Sequence, residues 1–111
     1  MKVAVIGSRN LSVHNLEDYL PPGTTELVSG GAKGIDQCAK TYAQQTGLPI
    51  HEFLPDYSRY GKGAPLRRNL QIIDYADLLV IFWDGVSPGT RFTIEKCILL
   101  QKPHIVHYLT P

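Results

Sequence analysis

Apolar residues along the chain follow two kinds of spacing in alternation. Lys2–Ile6 (KVAVI), Glu26–Ser29 (ELVS), Ile50–Leu54 (IHEFL), Leu78–Trp83 (LLVIFW) and Ile105–Leu109 (IVHYL) are short runs bounded by Gly, Pro or polar clusters. They predict five strands. LLVIFW is almost wholly apolar, as expected of a strand covered on both faces. Ile35, Cys38, Ala39, Tyr42 and Ala43 recur at i, i+3, i+4, i+7 and i+8, one face of an amphipathic helix, and Gly47 and Pro49 end it. Leu66, Leu70 and Ile73 give a second helix its buried stripe, with Pro65 in its first turn. A third helix runs from Ser87-Pro88 to about Lys102 and buries Ile94, Cys97 and Ile98. Ser12–Leu20 reads as a short helix stopped by Pro21-Pro22-Gly23, and residues 55–64 as a turn-rich loop.

The resulting order, βαβαβαβαβ, has crossovers long enough for parallel strands. The fold class expected is α/β: a three-layer α/β/α, Rossmann-like sandwich around a mostly parallel, five-stranded, doubly wound sheet. Residues 1–111 suffice for one domain. No apolar run reaches the length of a membrane span, and MKVAVIGSRN lacks the apolar centre of a signal peptide, so a cytoplasmic location is expected. Cys38 and Cys97 fall on the apolar sides of helices and are expected as buried thiols. The four histidines are scattered, and His104 and His107 point to opposite faces of one strand, so no metal site and no cofactor are expected.

In open α/β sheets, ligands bind beyond the carboxyl ends of the strands. Four segments meet there: residues 7–10, 29–36, 55–68 and 84–91. They hold seven of the chain's 11 basic residues (Arg9, Lys33, Arg59, Lys62, Arg67, Arg68 and Arg91) against Asp36, Asp56 and Asp84, a local balance of +4 on a chain of net charge +1. A basic rim of this size suits a small anion. It is short for a nucleic-acid track, which argues against nucleic acid as partner.

Ser29-Gly30-Gly31-Ala32-Lys33-Gly34 leaves a strand and enters a helix. Unpaired N–H groups at a helix start, with the macrodipole behind them, make a phosphate cradle. Lys33 adds a charge, and Asp36 accepts from a hydroxyl or caps the helix. The plainer reading is a tight turn with a closely packed helix. The spacing fits neither a P-loop nor the dinucleotide fingerprint. Arg67 and Arg68 lie in a first helical turn, where cations oppose the dipole unless a phosphate is bound. Their azimuths lie away from the Leu66/Leu70/Ile73 stripe. Ser87-Pro88-Gly89-Thr90 opens another helix, either as a second anion site through Gly89 and Thr90 or as a plain cap. Tyr57 and Tyr60 would stack on a base or pack half-buried.

Taken together, GSR after the first strand, SGGAKGID after the second, YGKGAPLRRN, YADLLVIFWDG and SPGT resemble the SLOG superfamily over nearly the whole chain. That group includes DNA-processing protein A and the "Lonely guy" cytokinin-activating phosphoribohydrolases, and the chain resembles most a small branch of single-domain bacterial and phage members. The resemblance implies a Rossmann-like fold and a nucleotide or nucleotide-derived phosphorylated ligand, bound by a sensor or binding module. The positions it implies for ligand binding are Gly7, Ser8, Arg9, Ser29, Gly30, Gly31, Lys33, Gly34, Asp36, Arg68, Gly89 and Thr90. The alternative it implies is a nucleoside 5'-monophosphate phosphoribohydrolase. Arg68 takes the place of that family's arginine, nine residues before Asp77, with Asn69 where lysine stands. Gly89-Thr90 matches part of the motif Pro-Gly-Gly-x-Gly-Thr-x-x-Glu, but Thr93 occupies the position of the catalytic glutamate. Glu95 lies roughly 200° further around the helix. Arg68 with Glu95, or Asp36 in its stead, would then be catalytic. Apolar helices on both sheet faces allow a homodimer.

Overall fold

The computed structural model describes residues 1–111 and contains one five-stranded sheet. Its strands are β1 (Lys2–Gly7), β2 (Glu26–Ser29), β3 (Ile50–Glu52), β4 (Leu78–Trp83) and β5 (His104–Tyr108), in the order β3-β2-β1-β4-β5. Every neighbouring pair is parallel, so the sheet is wholly rather than mostly parallel. The chain starts at the centre, winds outward through β2 and β3, then returns beside β1 and winds the other way. The winding reverses between β1 and β4, where Val5 pairs with Val80 and Ile6 with Ile81.

Alternation along the strands divides the core in two. Val3, Val5, Leu27, Val80 and Phe82 face α1 (Ile35–Thr46), burying Ile35, Ala39 and Ala43 together with Leu11 and Leu16. Ala4, Ile6, Val28, Leu79 and Ile81 face the other way, against Ile72, Ile73 and Ala76 of α3 (Ala64–Tyr75) and its end, and Cys97 of α4 (Pro88–Leu99). α1 stops at Gly47, which takes the left-handed conformation at φ 74° and donates its N–H to the Ala43 carbonyl.

Several local expectations are corrected. Ser12–Leu20 is not an α-helix: only Leu16–Asp18 forms a 3-10 turn. So short a segment gains little from helix propagation. Here Asn15 Nδ2 donates to Asp18 Oδ2 and Leu16 anchors the stretch in the core. The loop at 55–64 contains a short α2 (Tyr57–Tyr60), capped by Asp56, and a 3-10 turn at Gly61–Gly63. In α3, Leu66 is exposed, and the inward face is Ala64, Arg68, Ile72 and Ile73. In α4, Ile98 is exposed, and Thr90, Thr93 and Cys97 are buried. Cys38 is only half-buried, where its Sγ accepts the Val13 N–H, whereas burial pushes the Cys97 thiol up to about 11.

Candidate functional site

A cleft of about 400 Å³ opens at the carboxyl ends of β1 and β4, where the two following loops stay tied by the Asp84 N–H donating to Ser8 Oγ at 3.3 Å. One wall is the end of β1 and the turn after it, Ile6 to Asn10. The others are the starts of three helices: Ala32 and Asp36 at α1, Pro65, Leu66, Arg68 and Asn69 at α3, and Ser87 to Thr90 with Thr93 at α4. None of the three helices has a side chain bonding back as its N-cap. At α4 the Ser87 hydroxyl is diverted to Asp84 Oδ2, while Asp84 Oδ1 accepts the Val86 and Ser87 N–H groups at 3.0 and 2.8 Å. These bonds hold Asp84 well below the ordinary carboxylate range. They pin the turn that leads into α4, whose first residues Gly89 and Thr90 line the cleft.

Two arginines line the same space. Arg9 is exposed and follows β1 closely. Arg68 is 7% exposed. Its Nη1 donates to the Gly30 carbonyl and its Nε to Asn69 Oδ1 at 2.8 Å. Burial lowers the proton affinity of Arg68, Asp36 and Tyr57 raise it, and Arg9 lowers it again. Arg9 and Arg68 against Asp36 leave the cleft wall with a net positive charge, which suits an anion.

The glycine-rich turn is less open than its composition suggests. Ser29 Oγ accepts the Gly31 N–H at 3.3 Å, and Asp36 Oδ2 accepts the Ala32 N–H at 3.1 Å. Those two amides are therefore already satisfied by the protein. Gly30 and Gly34 serve close approach. A Cβ on Gly30 would strike the Arg68 guanidinium, and one on Gly34, at φ 75°, would lie 2.5–2.8 Å from the Arg9 backbone.

Of the positions named from sequence, Gly7, Ser8, Arg9, Asp36, Arg68, Gly89 and Thr90 line the cleft. Ser29, Gly30, Gly31, Lys33 and Gly34 do not: the first two are buried, Gly30 against Arg68, and Lys33 is exposed. Glu95 is exposed and also lies outside the cleft. Tyr57 and Tyr60 do not line it, although Tyr57 is near enough to act on Arg68; the Arg59 and Arg67 guanidinium groups each lie 5.2 Å from the Tyr60 ring centroid. Asn10 and Ser87 lie in segments expected at this edge without being named as site residues, and the wall residues Asn69 and Thr93 lie outside those segments. A signal existed for Asn69 and Thr93, the positions where the hydrolase motifs place lysine and glutamate. No group of three or more His, Cys, Asp or Glu is placed to hold a metal ion, and no helix is long and apolar enough to cross a membrane.

A family model described as the YspA, cpYpsA-related SLOG family (YAcAr) matches residues 1–60. The chain belongs to that SLOG family. No curated protein and no solved structure matches it. The matched segment carries β1, the Gly7–Asn10 turn, the glycine-rich turn and α1. The α3 and α4 walls of the cleft come from the remainder of the SLOG chain.

Proposed function

We propose that the cleft binds the phosphate of a nucleotide or nucleotide-derived ligand, and that the protein acts as a binding or sensing module. One observation carries the reading: Arg9, Arg68 and the uncapped start of α4 face one cleft at the point where the sheet's winding reverses. Membership of the SLOG family supports a nucleotide-related module. A phosphate there would take N–H groups from Gly89 and Thr90 and charge-assisted bonds from the arginines. The volume leaves room for a sugar beyond it. Calorimetry with inorganic phosphate and with mono-, di- and cyclic nucleotides tests this. Saturable heat that weakens with added salt is expected; no heat from any of them at millimolar concentration overturns it.

A second reading, hydrolysis of the N-glycosidic bond of a nucleoside 5'-monophosphate, has one observation in its favour. The cleft contains a buried carboxylate, Asp36, held above its ordinary value chiefly by burial. Oxocarbenium-like chemistry needs a carboxylate beside the sugar. The role expected of Glu95 passes to Asp36. Free base and ribose 5-phosphate should form from a nucleoside monophosphate and cease in Asp36→Asn; no product from any nucleotide leaves binding alone.

A further inference from the structure

Asp36 balances part of the Arg68 charge, but a site built only to hold phosphate has no further use for a negative charge. Yet Asp36 sits in the wall of this one, 6% exposed. Its two oxygens are used differently. Oδ2 accepts the Ala32 N–H, whereas Oδ1 is buried and has no hydrogen-bond partner. A buried acceptor without a donor is costly, and native structures retain few of them. The Ala32 contact accounts for Oδ2; the Gly30 amide lies near enough to favour the charged carboxylate but makes no well-formed hydrogen bond to Oδ1.

We propose that Asp36 accepts a hydrogen bond from a hydroxyl of the bound ligand, so that the cleft selects a phosphorylated sugar or polyol over a bare phosphate. This rests on the phosphate reading above. The donor is a hydroxyl and not an ammonium, because Arg68 and Arg9 lie close enough to act on one another and would repel a cation. The like charge of Asp36 also disfavours a second phosphate on that wall. A ligand with its phosphate towards Arg9 and the start of α4, and a hydroxyl towards α1, meets both demands.

Binding of ribose 5-phosphate and of methyl phosphate, each to the wild type and to Asp36→Asn, tests the proposal. The wild type should prefer ribose 5-phosphate by about tenfold or more, the range of a hydrogen bond to a charged group. Asp36→Asn should bring ribose 5-phosphate down to the level of methyl phosphate while leaving methyl phosphate unchanged or tighter. Equal wild-type affinities overturn the proposal and leave the phosphate reading standing, since a water then satisfies Oδ1. An equal loss of both ligands in the variant also overturns it, because Asp36 then acts only by holding its loop. Binding of neither ligand by the wild type removes both readings. Should the variant not fold, deoxy analogues of ribose 5-phosphate, each lacking one hydroxyl, decide the matter in the wild type. One analogue must lose about tenfold; no loss from any overturns the proposal.

Discussion

Arg9 and Arg68 reach the cleft by different routes, and the difference governs how each should respond to substitution. Arg9 is exposed and stands directly after the β1 turn, so Arg9→Ala should weaken phosphate binding by about tenfold while leaving thermal unfolding nearly unchanged. Arg68 also holds the Gly30 carbonyl and lies over a glycine with no Cβ. Its removal leaves that carbonyl and the Asp36 charge short of partners. Arg68→Ala should therefore cost about 1–3 kcal/mol in denaturant unfolding as well as binding. A fully stable Arg68→Ala protein would show that the clamp contributes nothing. Asp36 has the opposite balance. Burial raises its folded-state value above 3.8, so its ionised form costs stability at neutral pH, and that cost is relieved as pH falls through the folded value. Asp36→Asn should then melt no lower than the wild type at pH 7, with the difference closing below about pH 4. The burial of Arg68 was not legible in the sequence. An apolar stripe of Leu66, Leu70 and Ile73 takes the sheet to be what every turn of α3 packs against. The first turns instead stand over the carboxyl edge, where a guanidinium is buried against a carbonyl.

At the level of elements, the start of α4 depends on a carboxylate outside the helix. Asp84 holds the Val86 and Ser87 N–H groups and the Ser87 hydroxyl, and these bonds keep its folded-state value below the ordinary 3.8. Asp77, bonded by the Lys2 N–H, and Asp56, bonded by the Ser58 hydroxyl and Arg59 N–H, are shifted in the same direction. A carboxylate with a depressed value contributes stability above its unfolded value and loses it as pH falls through the folded one. Melting temperature should therefore fall as pH is lowered from about 4 towards 2. Asp84→Ala should be less stable than the wild type at pH 7 and should show a shallower acid slope. An unchanged slope would mean that the turn is held by other means. The sequence announced this helix start through Ser87-Pro88 but not its inward face. Apolar residues lie on all sides of α4, and the choice falls on Thr90, Thr93 and Cys97, the residues of the helix that are buried.

For the whole molecule, the strand order could be narrowed from sequence because runs such as LLVIFW and the long crossovers admit few topologies. The position of the cleft came from the same rule, since ligand edges depend on where winding reverses and not on side-chain detail. What the pattern could not supply was the pairing of remote pieces: Arg68 with Gly30, or the Gly34 turn with Arg9. The first of those contacts crosses the boundary of the family match, which ends at residue 60. That boundary is not a boundary of the fold. β1 is central only because β4 pairs with it from Val3–Leu78 to Gly7–Phe82, and the core beneath α1 includes Val80 and Phe82. The opposite face of β1, at Ala4 and Ile6, is covered by Ile72, Ile73 and Cys97. A fragment of residues 1–60 would keep three strands and one long helix but expose one whole face of the sheet and an unpaired edge on its longest strand. Burial of apolar surface is the main favourable term in folding, and half a core cannot offset the chain entropy. The fragment should lack a cooperative thermal transition and give poorly dispersed amide resonances. Adding residues 61–111 in trans should restore both, because the missing half supplies β4 as well as its helices. A fragment that melts cooperatively alone would mean that the α1 face suffices, and that the cleft was added to a domain already stable without it.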